Sequence, residues 1–444
     1  MLPHGPIIEE IEFCEPFDLA RGLSHASRLA FLDSAMPDST LGRWSYIAAN
    51  PAGVFTVVDG SAFWNGQPEP VPPLPALRQR LAERSRPRRS EGPPFQGGVI
   101  GHLAYEAGGL FETLPAIGSG SQVQIDLAFY DRVLAFDVIE RRAFSISPDG
   151  APLRSMGPLA PVEPLEPVRS WTDSRSRAAF EAEVASLVEA IRNGDLFQAN
   201  LAHRFSCQPS LRPSPFSTYH VLRSANPAPF GALLVDGDDF IASTSPERYI
   251  QLEGRLVETR PIKGTRRRDP DPTADVEVAN ALSQSEKDRA ENTMIVDLLR
   301  NDLSRVCEPG TVAVPVLCGV ETYASVHHLV SVVTGRLTSD CDIVDLIAAT
   351  FPGGSITGAP KIKAMELISA IENEPRGPYC GAIGWIDDAG DADFNIAIRT
   401  LVCRNGTFSL HAGGGITLLS DPAAEYDETL AKAERILGAL EGRL

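Results

Sequence analysis

A lysine followed at once by glycine and set among arginines is where this chain could hold a nucleophile: Thr259-Arg260-Pro261-Ile262-Lys263-Gly264-Thr265-Arg266-Arg267-Arg268. An ammonium has a reference pKa of about 10.4, and cationic neighbours and partial burial both lower it toward values at which the amine can attack carbon. A three-unit shift costs about 4 kcal/mol, so the rest of the fold must hold such a lysine in place. On this stretch alone a basic surface turn explains Lys-Gly equally well. A second chemistry is offered by acidic pairs at i, i+3 spacing, Asp288 with Glu291 and Glu425 with Glu428. The first pair falls inside the apolar arc of about 140° formed by Met294, Ile295, Leu298 and Leu299 on a helix. A carboxylate on a core face must be paired, protonated or bound to a cation, and carboxylates with retained waters suit Mg²⁺. The bland alternatives are a buried salt bridge for the first pair and a solvated charged face for the second.

The elements that must position these groups follow from periodicity and punctuation. Residues 1–146 read as short strands such as Gly42-Arg43-Trp44-Ser45-Tyr46-Ile47 and Gly53-Val54-Phe55-Thr56-Val57-Val58, with Arg84 to Pro94 a charged, solvated loop. Residues 147–168 are rich in proline and form a linker or crossing segment. Residues 169–444 open with a helix from Ser176 to Asn193, and a hairpin through Glu253-Gly254 leads to Lys263. A helix from about Ser283 to Ser304 follows, opened by the capping-box pattern Ser283-x-x-Glu286. Beyond it come the loop Phe351 to Lys361, a helix from Ile362 to Glu372, and strands near Gly381 to Trp385 and Phe394 to Val402. The strand Thr407 to His411 runs into a turn at Gly413-Gly414-Gly415 whose N–H groups can approach an anion, and a last helix spans Pro422 to Leu440. The Phe351 to Lys361 loop is no P-loop, because Gly358 is followed by Ala-Pro.

Composition narrows the partners. The 444 residues are 43% apolar and carry a formal net charge of −18, which disfavours nucleic acid and anionic membranes and leaves small anions at local basic patches. No apolar run approaches the length of a membrane span, and the opening Met1-Leu2-Pro3-His4-Gly5-Pro6 lacks the regions of a signal peptide, so the expected location is cytoplasmic. Seven cysteines without Cys-x-x-Cys spacing are expected to be reduced packing residues.

In order along the chain, Gly194-Asp195-Leu196-Phe197-Gln198, Ser245-Pro246-Glu247-Arg248, Pro261-Ile262-Lys263-Gly264-Thr265, Glu286 to Asn292, Phe351 to Lys361 and His411 through Glu428 resemble the blocks of the chorismate-utilising enzymes. This family includes anthranilate, aminodeoxychorismate, isochorismate and salicylate synthases. The resemblance implies an α+β fold, a four-layer α/β/β/α arrangement of two orthogonally packed, mainly antiparallel sheets, in place of two loosely joined regions. It implies Glu291 and Glu428 as Mg²⁺ ligands, with Asp288 and Glu425 acting through waters. Tyr379, Arg399 and the backbones of Gly413 and Gly415 would hold the substrate carboxylates. Ser355 and His328 would line the ring, and Glu247 would be general acid and base at the 4-hydroxyl.

Two positions refine the expected reaction. Water-adding members carry a lysine base where this chain has Gln198, and glutamine cannot take a proton from water. Lys263 occupies the position where aminodeoxychorismate-forming members have lysine and anthranilate-forming members have alanine. The resemblance therefore implies attack of Lys263 on chorismate and amination by ammonia to 4-amino-4-deoxychorismate, on the route to para-aminobenzoate and folate. No Gly-x-Cys-x-Gly nucleophile turn is present, so ammonia is expected from a separate glutaminase chain. The alternatives are anthranilate formation on the same scaffold and a catalytically idle regulatory subunit.

Overall fold

The computed structural model describes residues 5–37, 41–115, 121–153, 162–323 and 326–443. Two large antiparallel sheets run through it, and each takes strands from both ends of the chain. In the first, Leu29–Asp33 hydrogen-bonds to Phe230–Asp236, which leads through Asp239–Ser245, Thr400–Arg404 and Thr407–Ile416 to Gln198–Cys207. In the second, Gly98–Leu103 hydrogen-bonds to Ala382–Asp387, which leads through Ala392–Ile396, Arg248–Glu253 and Leu256–Thr259 to Val326–Arg336 and Ile262–Arg267.

Burial follows the alternation of side chains along the strands and sorts the core into layers. Tyr46, Phe95, Ile100, Tyr130 and Trp385 interdigitate between the sheets. The outer face of the first sheet is covered by Phe216, Tyr219 and Leu222 of one helix and Ala433, Ile436 and Leu440 of the last. On the outer face of the second sheet lie Ile295, Leu299 and Leu303, together with Val344 and Ile347. The result is the four-layer α/β/β/α architecture. The prolines of 147–168 fall partly in 154–161, which lies outside the described residues.

Three local expectations are corrected. The helix placed from about Ser283 to Ser304 is found as Glu286–Ser304, and Ser283 is instead the last residue of a separate helix, Pro272–Ser283. Ser285, not Ser283, caps the second by accepting from the Asp288 N–H, so no capping box joins Ser283 to Glu286. The run Phe394 to Val402 is broken into Ala392–Ile396 and Thr400–Arg404, with Arg399 between them at φ +51. Finally, the arginines of Arg84 to Pro94 do not form a free excursion. Arg84 bonds Asp131 at 2.7 Å, Arg86 bonds Asp388 at 2.9 Å and Arg88 bonds Asp391 at 2.7 Å.

That acidic turn leaves one carboxyl without an arginine among the described residues. Asp387 is 3% exposed, and burial raises its pKa to about 7 against the hydrogen bond from Ala389 N–H, with Asp391 and Asp388 adding to the rise and Arg88 opposing it. Its folded pKa lies above the unfolded value of about 3.9, so the folded state holds the extra proton and stability falls as pH rises from about 4 to about 7. Asp387→Asn is expected to remove that fall and to melt higher than wild type at about pH 8, by an amount worth about 1–4 kcal/mol. Melting curves at about pH 5.5 and pH 8 check this; equal pH slopes in the two proteins would contradict it.

Candidate active site

Lys263 reaches the site because its strand is irregular. Ile262 pairs with Val330 and Thr265 with His328, so the Ile262–Arg267 strand carries one residue more than its partner and bulges at Lys263-Gly264. Gly264 adopts φ +80, and a Cβ there would stand 2.9 Å from Asp288 Cγ, so glycine both permits the bulge and lets the acidic helix approach. The Lys263 ammonium donates to the Ser355 carbonyl at 3.0 Å and lines a cavity of about 610 Å³. Burial lowers its pKa, opposed by Glu291 and Glu247. The expected cause, the flanking arginines, is not the operative one. Arg260 pairs with Glu321, Arg266 with Asp288 at 2.9 Å and Arg268 with Asp275 at 2.6 Å. Desolvation of the amine does the work instead.

Glu247 lies at the end of the Asp239–Ser245 strand and is 5% exposed. Its backbone carbonyl accepts from Ile396 N–H at 2.9 Å, and its carboxylate accepts from Ile262 N–H at 3.3 Å, next to Lys263. Burial raises its pKa, with Lys263 pulling the other way, and a carboxyl that retains its proton is what a general acid requires. His328 shares a hydrogen bond with the Thr265 hydroxyl at 2.8 Å, and burial together with Arg399 and His327 lowers its pKa to about 4. At neutral pH it is therefore a neutral imidazole. Ser355 is 6% exposed and lines the same cavity.

The opposite wall is an unpaired strand edge. Thr407–Ile416 pairs with Gln198–Cys207 along one edge as far as Ile416, but on the other edge its pairing with Thr400–Arg404 ends at Leu410 with Leu401. Past that point the backbone of 411–416 has no strand neighbour on the cavity side among the described residues. The glycines thus lie in an extended strand rather than the expected turn. A Cβ at Gly413 would come within 2.2 Å of the Leu201 carbonyl, and one at Gly415 within 2.4 Å of Gln198 Nε2. Arg399 enters the gap left by the broken strand. Its Nη1 donates to Asn226 Oδ1 at 3.3 Å, and among the described residues no carboxylate pairs with it. Burial lowers its pKa, with Arg435 adding to the effect and Glu247 opposing it. A guanidinium in this setting calls for an anionic ligand. Tyr379 stacks on His411 at 5.2 Å between ring centroids and completes the wall.

The acidic wall comes from two helices. Asp288 and Glu291 project from Glu286–Ser304, and Glu425 and Glu428 from Pro422–Leu440. Burial raises the pKa of Glu291, Lys263 counters it, and Asp288 and Glu425 add to the rise. Burial also raises Glu425, although Ser420 donates to it at 2.6 Å. Glu428 is exposed, with 53% of its side chain accessible, and its partial desolvation is outweighed by Lys432, Lys287 and Lys263, which together hold it below the usual carboxylate range. Lys432 bonds Glu428 at 2.9 Å and the Gly413 carbonyl at 3.0 Å. Among the described residues no three acidic, histidine or cysteine side chains close into a metal cage. The donor set nevertheless fits Mg²⁺, which takes one or two carboxylates and fills its octahedron with waters and substrate oxygens.

Every sequence-predicted site residue lines this one cavity: Lys263, Glu247, His328, Ser355, Tyr379, Arg399, Gly413, Gly415, Asp288, Glu291, Glu425 and Glu428. Sequence alone does not single out Asn200 or Thr265, and it reads Lys432 as part of a solvated face. For Lys432 the i, i+4 spacing from Glu428 is the available signal.

A sequence profile for the family described as chorismate binding enzyme matches residues 31–438. Aminodeoxychorismate synthase component 1 of Escherichia coli (strain K12) is 39% identical over 432 residues, covering 94% of each chain. Anthranilate synthase component 1 of Streptomyces coelicolor is also 39% identical, over 92% of this chain and 83% of that protein. The crystal structure of anthranilate synthase component I from Streptococcus pneumoniae TIGR4 superposes with a TM-score of 0.79 at 32% identity, covering 90% of this chain and 94% of that one. No helix of the described residues is long and apolar enough to cross a membrane. With this profile match, these relatives and the shared architecture, the chain belongs to the chorismate binding enzyme family.

Proposed function

We propose that this protein is the chorismate-aminating component of an aminodeoxychorismate synthase, using ammonia handed over by a separate glutaminase chain. The observation that carries this reading is Lys263, a desolvated amine bulged into the cavity beside the buried Glu247, with burial lowering the pKa of the first and raising that of the second. Chorismate is a dianion, and Arg399, Tyr379 and the open edge at Gly413 and Gly415 supply donors for its carboxylates. Mg²⁺, when held by Glu291 and Glu428 with Asp288 and Glu425 behind, supplies a positive charge that polarises a substrate carboxylate.

In the first step the Lys263 amine forms a bond to C2 of the ring, the two double bonds shift, and the C4–O bond breaks. Glu247 gives its proton to the departing 4-hydroxyl, which leaves as water. In the second step ammonia bonds to C4, the double bonds return, and the C2–N bond to Lys263 breaks. The proton shed by the new C4 ammonium passes by way of the departing lysine amine back to Glu247, so the amine and the acid both end as they began. The pyruvyl ether is untouched. Serine and histidine at 355 and 328 line the ring without charge.

The test is the product. Full-length protein incubated with chorismate, Mg²⁺ and an ammonium salt is expected to yield 4-amino-4-deoxychorismate, identified by mass and chromatography. Anthranilate with pyruvate would favour the reading that the Streptomyces coelicolor relative represents, and unchanged chorismate would indicate an idle binding subunit.

A further inference from the structure

Both amide atoms of Gln198 and the Oδ1 of Asn200 are buried without a hydrogen-bond partner among the described residues. Folded proteins pair nearly all buried polar side-chain atoms, so a group of exceptions at a cavity wall marks a place where something polar is received. Gln198 and Asn200 are two residues apart on the Gln198–Cys207 strand and share one face of it. Asn200 is paired with Gly415, over which the Gln198 amide lies, its Nε2 within 2.4 Å of where a Gly415 Cβ would stand, and Asn200 itself lines the cavity at 8% exposure.

We propose that the Asn200 side chain is the seat of the nitrogen nucleophile, accepting an N–H of ammonia while its lone pair faces the substrate ring. The inference rests on the reading given under Proposed function. Ammonia has three N–H donors and one lone pair, and productive attack requires the donors to be engaged elsewhere than at carbon. A neutral amide oxygen accepts an N–H without the negative charge that would favour ammonium, which has no lone pair to give. The carboxylates of Glu291, Glu425 and Glu428 on the other wall carry that charge. As ammonia bonds to C4 and the C2–N bond to Lys263 breaks, the surplus proton passes by way of the lysine amine to Glu247, so Asn200 need neither gain nor lose one.

The asparagine is well placed for this. Its backbone N–H donates to the Thr357 carbonyl at 2.8 Å, and its carbonyl accepts from Arg376 at 2.6 Å. Arg376 is in turn held by Glu372 at 2.7 Å. Thr357 follows two residues after Ser355, whose carbonyl takes the Lys263 ammonium. One rigid segment therefore fixes both the lysine and the backbone that carries the amide, and the fold makes no use of the Asn200 Oδ1.

The experiment compares wild type, Asn200→Leu, Asn200→Ala and Asn200→Asp in full-length protein with chorismate, Mg²⁺ and an ammonium salt. Asn200→Leu and Asn200→Ala are expected to raise the KM for ammonia by about three- to tenfold, the loss of one hydrogen bond to an uncharged partner, with the KM for chorismate within about twofold of wild type. Asn200→Asp is expected to move the pH of half-maximal ammonia use upward, because a carboxylate retains ammonium. Formation of the chorismate adduct without ammonia is expected to be unchanged. An unaltered ammonia KM, or a chorismate KM that rises in step with it, overturns the assignment. If Asn200→Leu fails to fold, Asn200→Ala decides on the same readout. A wild-type enzyme that consumes chorismate without incorporating nitrogen overturns the aminating function itself, an outcome distinct from loss of the Asn200 effect in an aminating enzyme.

Discussion

Lys263→Ala is expected to lower ammonia-supported product formation by on the order of 100-fold or more, while chorismate still binds. The amine is the nucleophile in the proposed first step, and no other amine is held against the Ser355 carbonyl beside Glu247 among the described residues. Binding persists because Arg399, Tyr379 and the open glycine edge, which would meet the carboxylates, are untouched. A second signature separates this role from a structural one. Burial disfavours the Lys263 ammonium, so Lys263→Met, of similar length and uncharged, is expected to melt at or above the wild-type temperature although it is inactive. A variant that kept its rate, or one that lost activity only by unfolding, would remove the nucleophile from the mechanism. Steady-state rates, a chorismate-induced shift in melting temperature and the melting temperatures of the free proteins provide the three readouts.

Glu291→Gln is expected to abolish Mg²⁺-dependent turnover and at the same time to stabilise the metal-free protein. Its carboxylate is half-buried beside Asp288 and Glu425: burial raises its pKa, Lys263 and Lys287 oppose the rise, and the repulsion from Asp288 and Glu425 adds to it. Replacing it by a neutral isostere removes that repulsion, at the cost of its attraction to Lys263. A structural carboxylate would behave oppositely, since its removal would weaken the fold. The concentration of Mg²⁺ needed for half-maximal activity is expected to rise by about 100-fold or to become unmeasurable. Glu428→Gln differs in one respect: it also frees Lys432, which bonds Glu428 at 2.9 Å, so no stabilisation is expected from it. Calorimetric titration of Mg²⁺ with chorismate absent, together with melting curves with and without Mg²⁺, checks both variants. Wild-type Mg²⁺ responses in both would move the metal away from these helices.

The groups proposed to do chemistry are the part of this protein most readable from sequence. Lys263 and the two acidic pairs are short-range patterns, Glu247 comes only with the family resemblance, and helical geometry alone puts Asp288 and Glu291 on the same arc as Met294 and Leu298. Boundaries were harder where two local signals compete. Ser283 and Ser285 both precede an acidic helix, and only the Asp288 N–H bonded to Ser285 decides between them. The reason Lys263 is desolvated is not local at all. Its neighbours Arg260, Arg266 and Arg268 are neutralised by Glu321, Asp288 and Asp275, from segments that pattern reading cannot bring together. The same is true of the open edge at 411–416. It exists because Thr400–Arg404 ends its pairing at Leu401, and a run such as Phe394 to Val402 gives no hint that it will break at Arg399. Asn200 lies in an ordinary-looking strand, and its unpaired amide becomes visible only when every buried neighbour is known.

The central claim is that Lys263 becomes covalently attached to the substrate ring. Full-length protein mixed with chorismate and Mg²⁺ in ammonia-free buffer, quenched rapidly and weighed by intact-protein and peptide mass spectrometry, tests it directly. The expected result is a species heavier by the mass of chorismate less one water, mapped to the peptide containing Lys263, lost on addition of ammonium and absent from Lys263→Ala. Amination by the wild-type enzyme with no such species at any quench time, or with an adduct mapped to another residue, would contradict it.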